Sequence, residues 1–220
     1  MAYYRDLREY ILVLEKNDRL VRIKREINKD TELMPLVRWQ FRGLPPNERK
    51  AFLFENVVDA KGKKYRGAVL VASHAACREV YALAMASHPK DIISKWEAAQ
   101  LHPVKPRIVK SGPVQEEVHT GDKLLEHGGM GEFAVPVSTP GFDNAPYFSA
   151  GNCISKDPET GIGNMGNYRC MIKSPTRVGL RAQMPQHIRQ HWLKYQQRGI
   201  PMPVAIAIGP TPNLGLVSVT

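Results

Sequence analysis

Cysteine is scarce in this 220-residue chain, with only Cys77, Cys153 and Cys170. An odd number with no C-x-x-C or other metal-ligand spacing is too few for a disulfide scaffold, so buried, reduced thiols are expected. Long apolar runs are missing as well. No stretch approaches the roughly 18 uninterrupted apolar residues of a membrane span, and no membrane partner is expected. The opening MAYYRDLREYILVLEKNDRL mixes charge into its apolar residues almost at once. A secretory signal would not do so, and the chain reads as mature cytoplasmic sequence. Internal repeats, low-complexity segments and long Lys/Arg blocks are also absent. The formal net charge of +10 would suit an anionic partner such as nucleic acid or a phosphorylated cofactor. The basic residues are spread along the chain without a nucleic-acid motif, so no nucleic-acid partner is expected.

With 43% hydrophobic and 24% charged residues, the composition is that of an ordinary globular protein. Its length allows one large domain or two small ones. Residues 4 to 18 carry Leu7, Ile11, Leu12 and Leu14 at helical spacing, and Asn17-Asp18 offers a stop. VRIKREI (21 to 27) alternates as a half-buried strand does. Thr31 is the expected cap of a helix through ELMPLVRWQFRG, with Pro35 in its first turn. AFLFENV (51 to 57) and GAVLVA (67 to 72) read as strands, and HAACREVYALAMA and DIISKWEAAQL as helices. This alternation predicts an α/β lobe over residues 1–105.

Beyond that point the composition turns Pro-rich and β-forming, with only KLLEH hinting at a helical turn. Strands are expected at 147 to 156, 164 to 173, 177 to 183 and 203 to 209, the first three as a meander, with a helix at 186 to 199 ending on Gly199. The terminal LGLVSVT reads as a further strand. The fold class expected is α+β, with a second, β-rich domain over 106–220.

The stretch GNMGNYRCMIKSPTRVGLRAQMPQHIRQHW (163 to 192) holds the candidate site. Asn164 and Arg169, five apart, would face opposite ways on one strand unless a bulge intervenes. Gly166 is the residue able to supply that bulge or admit a ligand close to the backbone. His187, after Pro185-Gln186, sits in the first turn of a helix, where amide donors favour phosphate. Imidazole plus an amide oxygen can also bind a divalent cation, although a hard cation wants a carboxylate too. Taken singly, each residue also has a plain reading as a hairpin Asn, a surface Arg or a helix-start Gln-His.

The ordered series DLREYILVLEKNDRLVRIKREI, AFLFENV, YFSAGNCISKDPETG, GNMGNYRCMIKSPTRVGL, PQHIRQHW and PMPVAIAIG resembles the N-terminal and central parts of UbiD-type decarboxylases. The I-x-x-D-P-E-T-G turn and N-x-G-x-Y-R agree in order and spacing, and the Arg to Gln-His interval is similar to that of the ferulic acid decarboxylase branch. The resemblance implies a flavin-reductase-like split β-barrel over 106–220, incomplete at its C-terminal end, that holds prenylated FMN through Mn²⁺ or Mg²⁺, with K⁺ nearby. It implies Asn164 and His187 as metal ligands and Arg169 as the active-site residue that orients the substrate carboxylate. Gly166, Asn167, Tyr168, Arg169 and Gln186 would line the cofactor beside the two ligands. The implied substrate is a small aromatic or α,β-unsaturated acid, decarboxylated reversibly while the cofactor acts as electron sink and a Glu returns the proton. A flavin prenyltransferase would supply the cofactor, and the full-length protein would be a homo-oligomer. Family members are roughly twice this length, so a fragment is expected, with the third metal ligand and the acidic network beyond Thr220 and no turnover by the piece alone. The alternative is a non-catalytic subunit of a multisubunit aryl carboxylase.

Overall fold

Asp6 opens the first helix by accepting a hydrogen bond from the backbone N–H of Glu9 at 2.9 Å, and α1 (Leu7–Lys16) follows. The computed structural model describes residues 3–219. Met1 and Ala2, which begin the charged leader, and Thr220, the last residue of the expected LGLVSVT strand, lie outside the described residues. The Asn17-Asp18 stop is as expected: the Asn17 side chain donates to the Val13 carbonyl at 2.8 Å, and Asp18 turns left-handed at φ 53. Tyr10 and Leu14, one turn apart, are fully buried. They pack with Val80 and Ala84 of α3 (Arg78–Ala84).

Strand β1 (Leu20–Asn28) pairs in parallel with β2 (Ala51–Val58), and β2 pairs antiparallel with β3 (Val69–Val71). The crossover is α2 (Leu33–Gly43), with Pro35 in its first turn. Its N-cap is Glu32 and not the expected Thr31. The Asn28 side-chain oxygen takes the N–H groups of Asp30 and Thr31, and the Glu32 carboxylate takes the N–H of Asn28 at 2.8 Å. That closed turn delays the helix by one residue. Helix α4 (Ile92–Leu101) ends the regular structure of this half.

Between Leu101 and Tyr147 the described residues form only short 3-10 turns, one of which (Gly121–Leu125) takes in part of KLLEH. The segment is tied back to the first half: the Val137 N–H donates to the Lys29 carbonyl at 3.2 Å, and the Arg38 guanidinium donates to the Ser138 carbonyl at 2.7 Å.

The remaining elements are β4 (Tyr147–Phe148), β5 (Asn152–Lys156), β6 (Gly163–Asn167), β7 (Cys170–Ser174), β8 (Arg177–Leu180), α5 (His187–Gln197), β9 (Ala205–Ala207) and α6 (Pro212–Val217). They form two antiparallel sheets, ordered β4-β7-β8 and β6-β5-β9. Three sequence expectations are corrected here. The strand expected at 147 to 156 is two strands in different sheets, and so is the strand expected at 164 to 173. The described part of LGLVSVT, residues 214–219, is not a strand: Pro212 at the first helical positions starts α6, and helical spacing buries both Pro212 and Leu216. The mixed α/β character is as expected. Pairing among the described residues defines three three-stranded sheets and does not by itself define a split barrel.

One core cluster lies where these two sheets meet α5, with Cys153, Tyr168, Cys170 and Ile188 buried together. All three cysteines are free and buried, as expected. Among the described residues no helix is long and apolar enough to cross a membrane.

Candidate functional site

The register of β5 and β6 sets the geometry. Ser155 stands opposite Asn164 and Cys153 opposite Gly166, with no bulge between them. Opposed residues on antiparallel strands share a face, so Asn164 looks toward the side on which Ser155 is buried. There the Ser155 hydroxyl lies 3.0 Å from Nδ1 of His191. His191 is one helical turn after His187, which heads α5. The fold thus brings together the elements that carry Asn164 and His187. The Asn164 amide itself is turned to the Tyr168 hydroxyl, to which it donates at 3.4 Å.

Gly166 supplies no bulge. A Cβ placed there would lie 2.5 Å from atoms of the Tyr168 ring, so the missing side chain makes room for that tyrosine. Tyr168 is buried and ends the strand by turning inward, which breaks the single strand the sequence suggests. Asn167 donates its backbone N–H to the Ser218 carbonyl at 3.1 Å. With the amide oriented to donate, its side chain reaches the carbonyls of Ser149 and Gly151 at 3.1 and 3.2 Å. Arg169 occupies the crossing between the two sheets. Its carbonyl accepts from the Arg181 N–H at 3.2 Å, and the residue is exposed. Gln186 is the N-cap residue of α5, but its side chain caps nothing. Its Oε1 accepts from the Gln183 N–H at 2.7 Å instead. His187 is exposed at this uncapped helix end, where the macrodipole favours an anion.

Sequence reasoning missed the residues behind this face. Burial holds His191 below the ordinary histidine value, opposed by the charge of Asp157 and reinforced by His187. Asp157 accepts from Lys194 Nζ at 2.6 Å. That hydrogen bond, joined by backbone N–H donors of the DPETG turn, holds its carboxyl down to about 2. Lys194 also reaches Glu159 at 2.9 Å. Beside the helix lies a cavity of about 440 Å³ lined by Leu180, Ala182, Ile188, Arg189, Trp192 and Met202. The Arg189 guanidinium sits 4.1 Å from the Trp192 ring centroid. An apolar wall with one stacked cation can take a flat apolar body with an anionic end. The available signal was the four-residue helical spacing of His187 with His191 and of Ile188 with Trp192.

Several known proteins resemble this chain in sequence and fold. A phenolic acid decarboxylase of Sedimentibacter hydroxybenzoicus is 30% identical over 230 residues, covering 99% of this chain and 45% of that protein. The closed form of the vanillic acid decarboxylase ShVdcCD from the same organism superposes with a TM-score of 0.87 at 26% identity, over 100% of this chain and 46% of that one. An evolved dimeric form of the UbiD-class enzyme HmfF from Pelotomaculum thermopropionicum, in complex with prFMN, gives a TM-score of 0.77 at 27% identity, over 95% of this chain and 45% of that one. The chain therefore spans about half the length of the relatives it matches. Residues 107–220 match the family model UbiD, the 3-octaprenyl-4-hydroxybenzoate carboxy-lyase Rift-related domain, and the chain belongs to the UbiD family.

Proposed function

We infer that this chain carries the cofactor-binding part of a reversible decarboxylase that uses prenylated FMN on small aromatic or α,β-unsaturated carboxylic acids. The observation that carries this reading is the β5–β6 register, which sets Asn164 opposite Ser155 while the Ser155 hydroxyl meets His191, one turn from His187. The fold likeness to the HmfF complex with prFMN supports it. We divide the chain near residue 105 into an α/β lobe and a cofactor lobe of split-barrel type. In the full-length protein we expect a homo-oligomer in the cytoplasm, charged with cofactor by a flavin prenyltransferase.

The donor set fits the group. Asn164 offers an amide oxygen and exposed His187 an imidazole, both neutral, so a Mn²⁺ or Mg²⁺ held by them keeps charge for a phosphate dianion. The uncapped N-terminus of α5 adds a favourable field for the same phosphate. K⁺ would bind nearby. When bound, prenylated FMN supplies the electron sink for loss of CO₂. The chain's own residues do the positioning. Arg169 presents a permanently charged planar fork that can hold a carboxylate through two parallel hydrogen bonds. Gly166, Asn167, Tyr168 and Gln186 line the cofactor, and Tyr168 fixes the Asn164 amide through the contact at 3.4 Å. Ser155 and Asp157, acting on His191 and Lys194, hold α5 against the sheet and so set the direction of His187.

The test is reconstitution of the full-length protein with prenylated FMN. CO₂ release from an aromatic or α,β-unsaturated acid, with loss of bound flavin in His187→Ala, is the expected result. A protein that binds no flavin, or binds it equally well without His187, would overturn the reading.

A further inference from the structure

A second group of ligand-type side chains lies outside the residues used above. His119, Glu126 and His127 present donor atoms that all fall within 4.8 Å of one another. Nδ1 of His119 is buried and, among the described residues, has no hydrogen-bond partner. The nearest carboxylate oxygen, on Glu126, is 3.6 Å away, too far for a hydrogen bond. A buried ring nitrogen left without a partner is unfavourable, and a cation between it and Glu126 would satisfy both. The other ring nitrogen, Nε2, faces the Glu117 carboxylate at 4.0 Å. That separation is also too long for a hydrogen bond, so Glu117 is a nearby charge and not a partner of the ring.

The backbone holds the third donor in place. After the 3-10 turn Gly121–Leu125, the chain reverses through Gly128 at φ 87 and Gly129 at φ 57. A Cβ on Gly129 would collide with the Pro175 carbonyl oxygen, and the next residue, Met130, donates its N–H to that oxygen at 2.8 Å. The loop is thereby pinned to the β7–β8 turn, and the His127 ring stands edge-on to His119 with centroids 4.7 Å apart. Glu126 and His127 are exposed, so an ion can enter from solvent.

We propose that His119, Glu126 and His127 bind a divalent cation of the zinc class and that the ion clips the 119–130 loop. Two imidazoles and one carboxylate are a zinc-type donor set, with a water in the fourth position. Donors around tetrahedral zinc stand about 3.4 Å apart, so rotamer changes of the two exposed side chains would close the site.

Co²⁺ is the probe. The full-length protein, stripped by chelator, is titrated with Co²⁺ and followed by its visible d–d absorption, which is strong for a tetrahedral site with nitrogen ligands. Wild type and His187→Ala should both show the band, since His187 belongs to the other proposed site. His119→Ala and His127→Ala should lose it. As a measurement that does not depend on any variant folding, Co²⁺ should slow tryptic cleavage after Lys123 in the wild-type protein. Absence of the band in wild type, its retention in both His119→Ala and His127→Ala, or cleavage indifferent to Co²⁺ would each overturn the proposal.

Discussion

The Ser155 hydroxyl and Nδ1 of His191 meet at 3.0 Å, linking the middle strand of one antiparallel sheet to the helix that His187 heads. Both residues are buried, so Ser155→Ala leaves a ring nitrogen without its partner in a place water does not reach. A loss of about 1–3 kcal/mol is expected from that desolvated group. Urea denaturation of Ser155→Ala against wild type at pH 7 measures it. A change near zero would show that water replaces the hydroxyl.

The same burial gives a pH dependence. The folded-state pKa of His191 lies below its ordinary 6.5, chiefly through desolvation, and burial lowers His74 likewise. The unfolded chain takes up these protons near the ordinary value, while the folded chain takes them up only at lower pH. Both neutral rings therefore contribute stability above about 6.5, and it is lost as pH falls through that value toward the lower folded pKa. Unfolding free energy should drop between pH 7 and 5, and His191→Gln should flatten part of that drop. An unchanged slope in the variant would remove His191 from the explanation.

Asp157 acts at lower pH. Its carboxyl is held down to about 2, first by Lys194 and then by backbone donors, from an ordinary 3.8. A depressed acid contributes stability above its unfolded pKa and loses it as pH falls through its folded one. The window is therefore from about 4 to about 2. Asp157→Asn should lower Tm at pH 7 and bring the Tm values at pH 7 and pH 2 closer together, read by thermal melts at the two pH values.

Gly166 tests the packing of β6. A methyl group there would overlap the Tyr168 ring at 2.5 Å, forcing the tyrosine out and breaking its contact with Asn164. Gly166→Ala is expected to destabilise by about 1–3 kcal/mol, the usual consequence of overpacking. Adding Tyr168→Ala should relieve the clash, so the double variant should be more stable than the sum of the two singles implies. Strict additivity in urea melts would show that the ring does not fill that space.

Apart from the cap of α2, the places where sequence and structure part company share one cause. Helix α1 was legible because the spacing of Leu7 and Leu14 and the Asn17 stop are local, while the burial of Tyr10 against α3 and the exposure of Leu12 were set elsewhere. The break between β6 and β7 was not. It depends on Tyr168 turning into the core and on Cys170 reaching Cys153, their sulfurs 3.7 Å apart, which are contacts between distant strands. The terminal LGLVSV carries strand-forming residues, and the burial that makes it a helix is tertiary. In the site, Asn164 and His187 could be named from the resemblance. Ser155 and His191 needed the register, because nothing in a one-dimensional string states which serine faces which histidine.

Arg169 carries the last prediction, which rests on the proposed function. The residue lies at the crossing of the two sheets, its backbone carbonyl fixed by the Arg181 N–H at 3.2 Å, while the residue stays exposed. A fixed backbone with an accessible guanidinium suits a group that must meet a ligand and not one that ties the fold together. Lys at this position keeps the charge but loses the planar fork that holds a carboxylate in one orientation. Arg169→Lys in the full-length protein should cut CO₂ release by at least ~10²-fold, the scale seen when a transition-state hydrogen-bond donor is removed. Flavin absorbance of the purified variant should match wild type, because Asn164 and His187 are untouched. Thermal stability should also be unchanged, since the side chain is exposed and a surface substitution there is worth little. Bound flavin with near-normal turnover would reduce Arg169 to an ordinary surface charge. Loss of flavin would instead make holding the cofactor its main role, with the carboxylate held by another group.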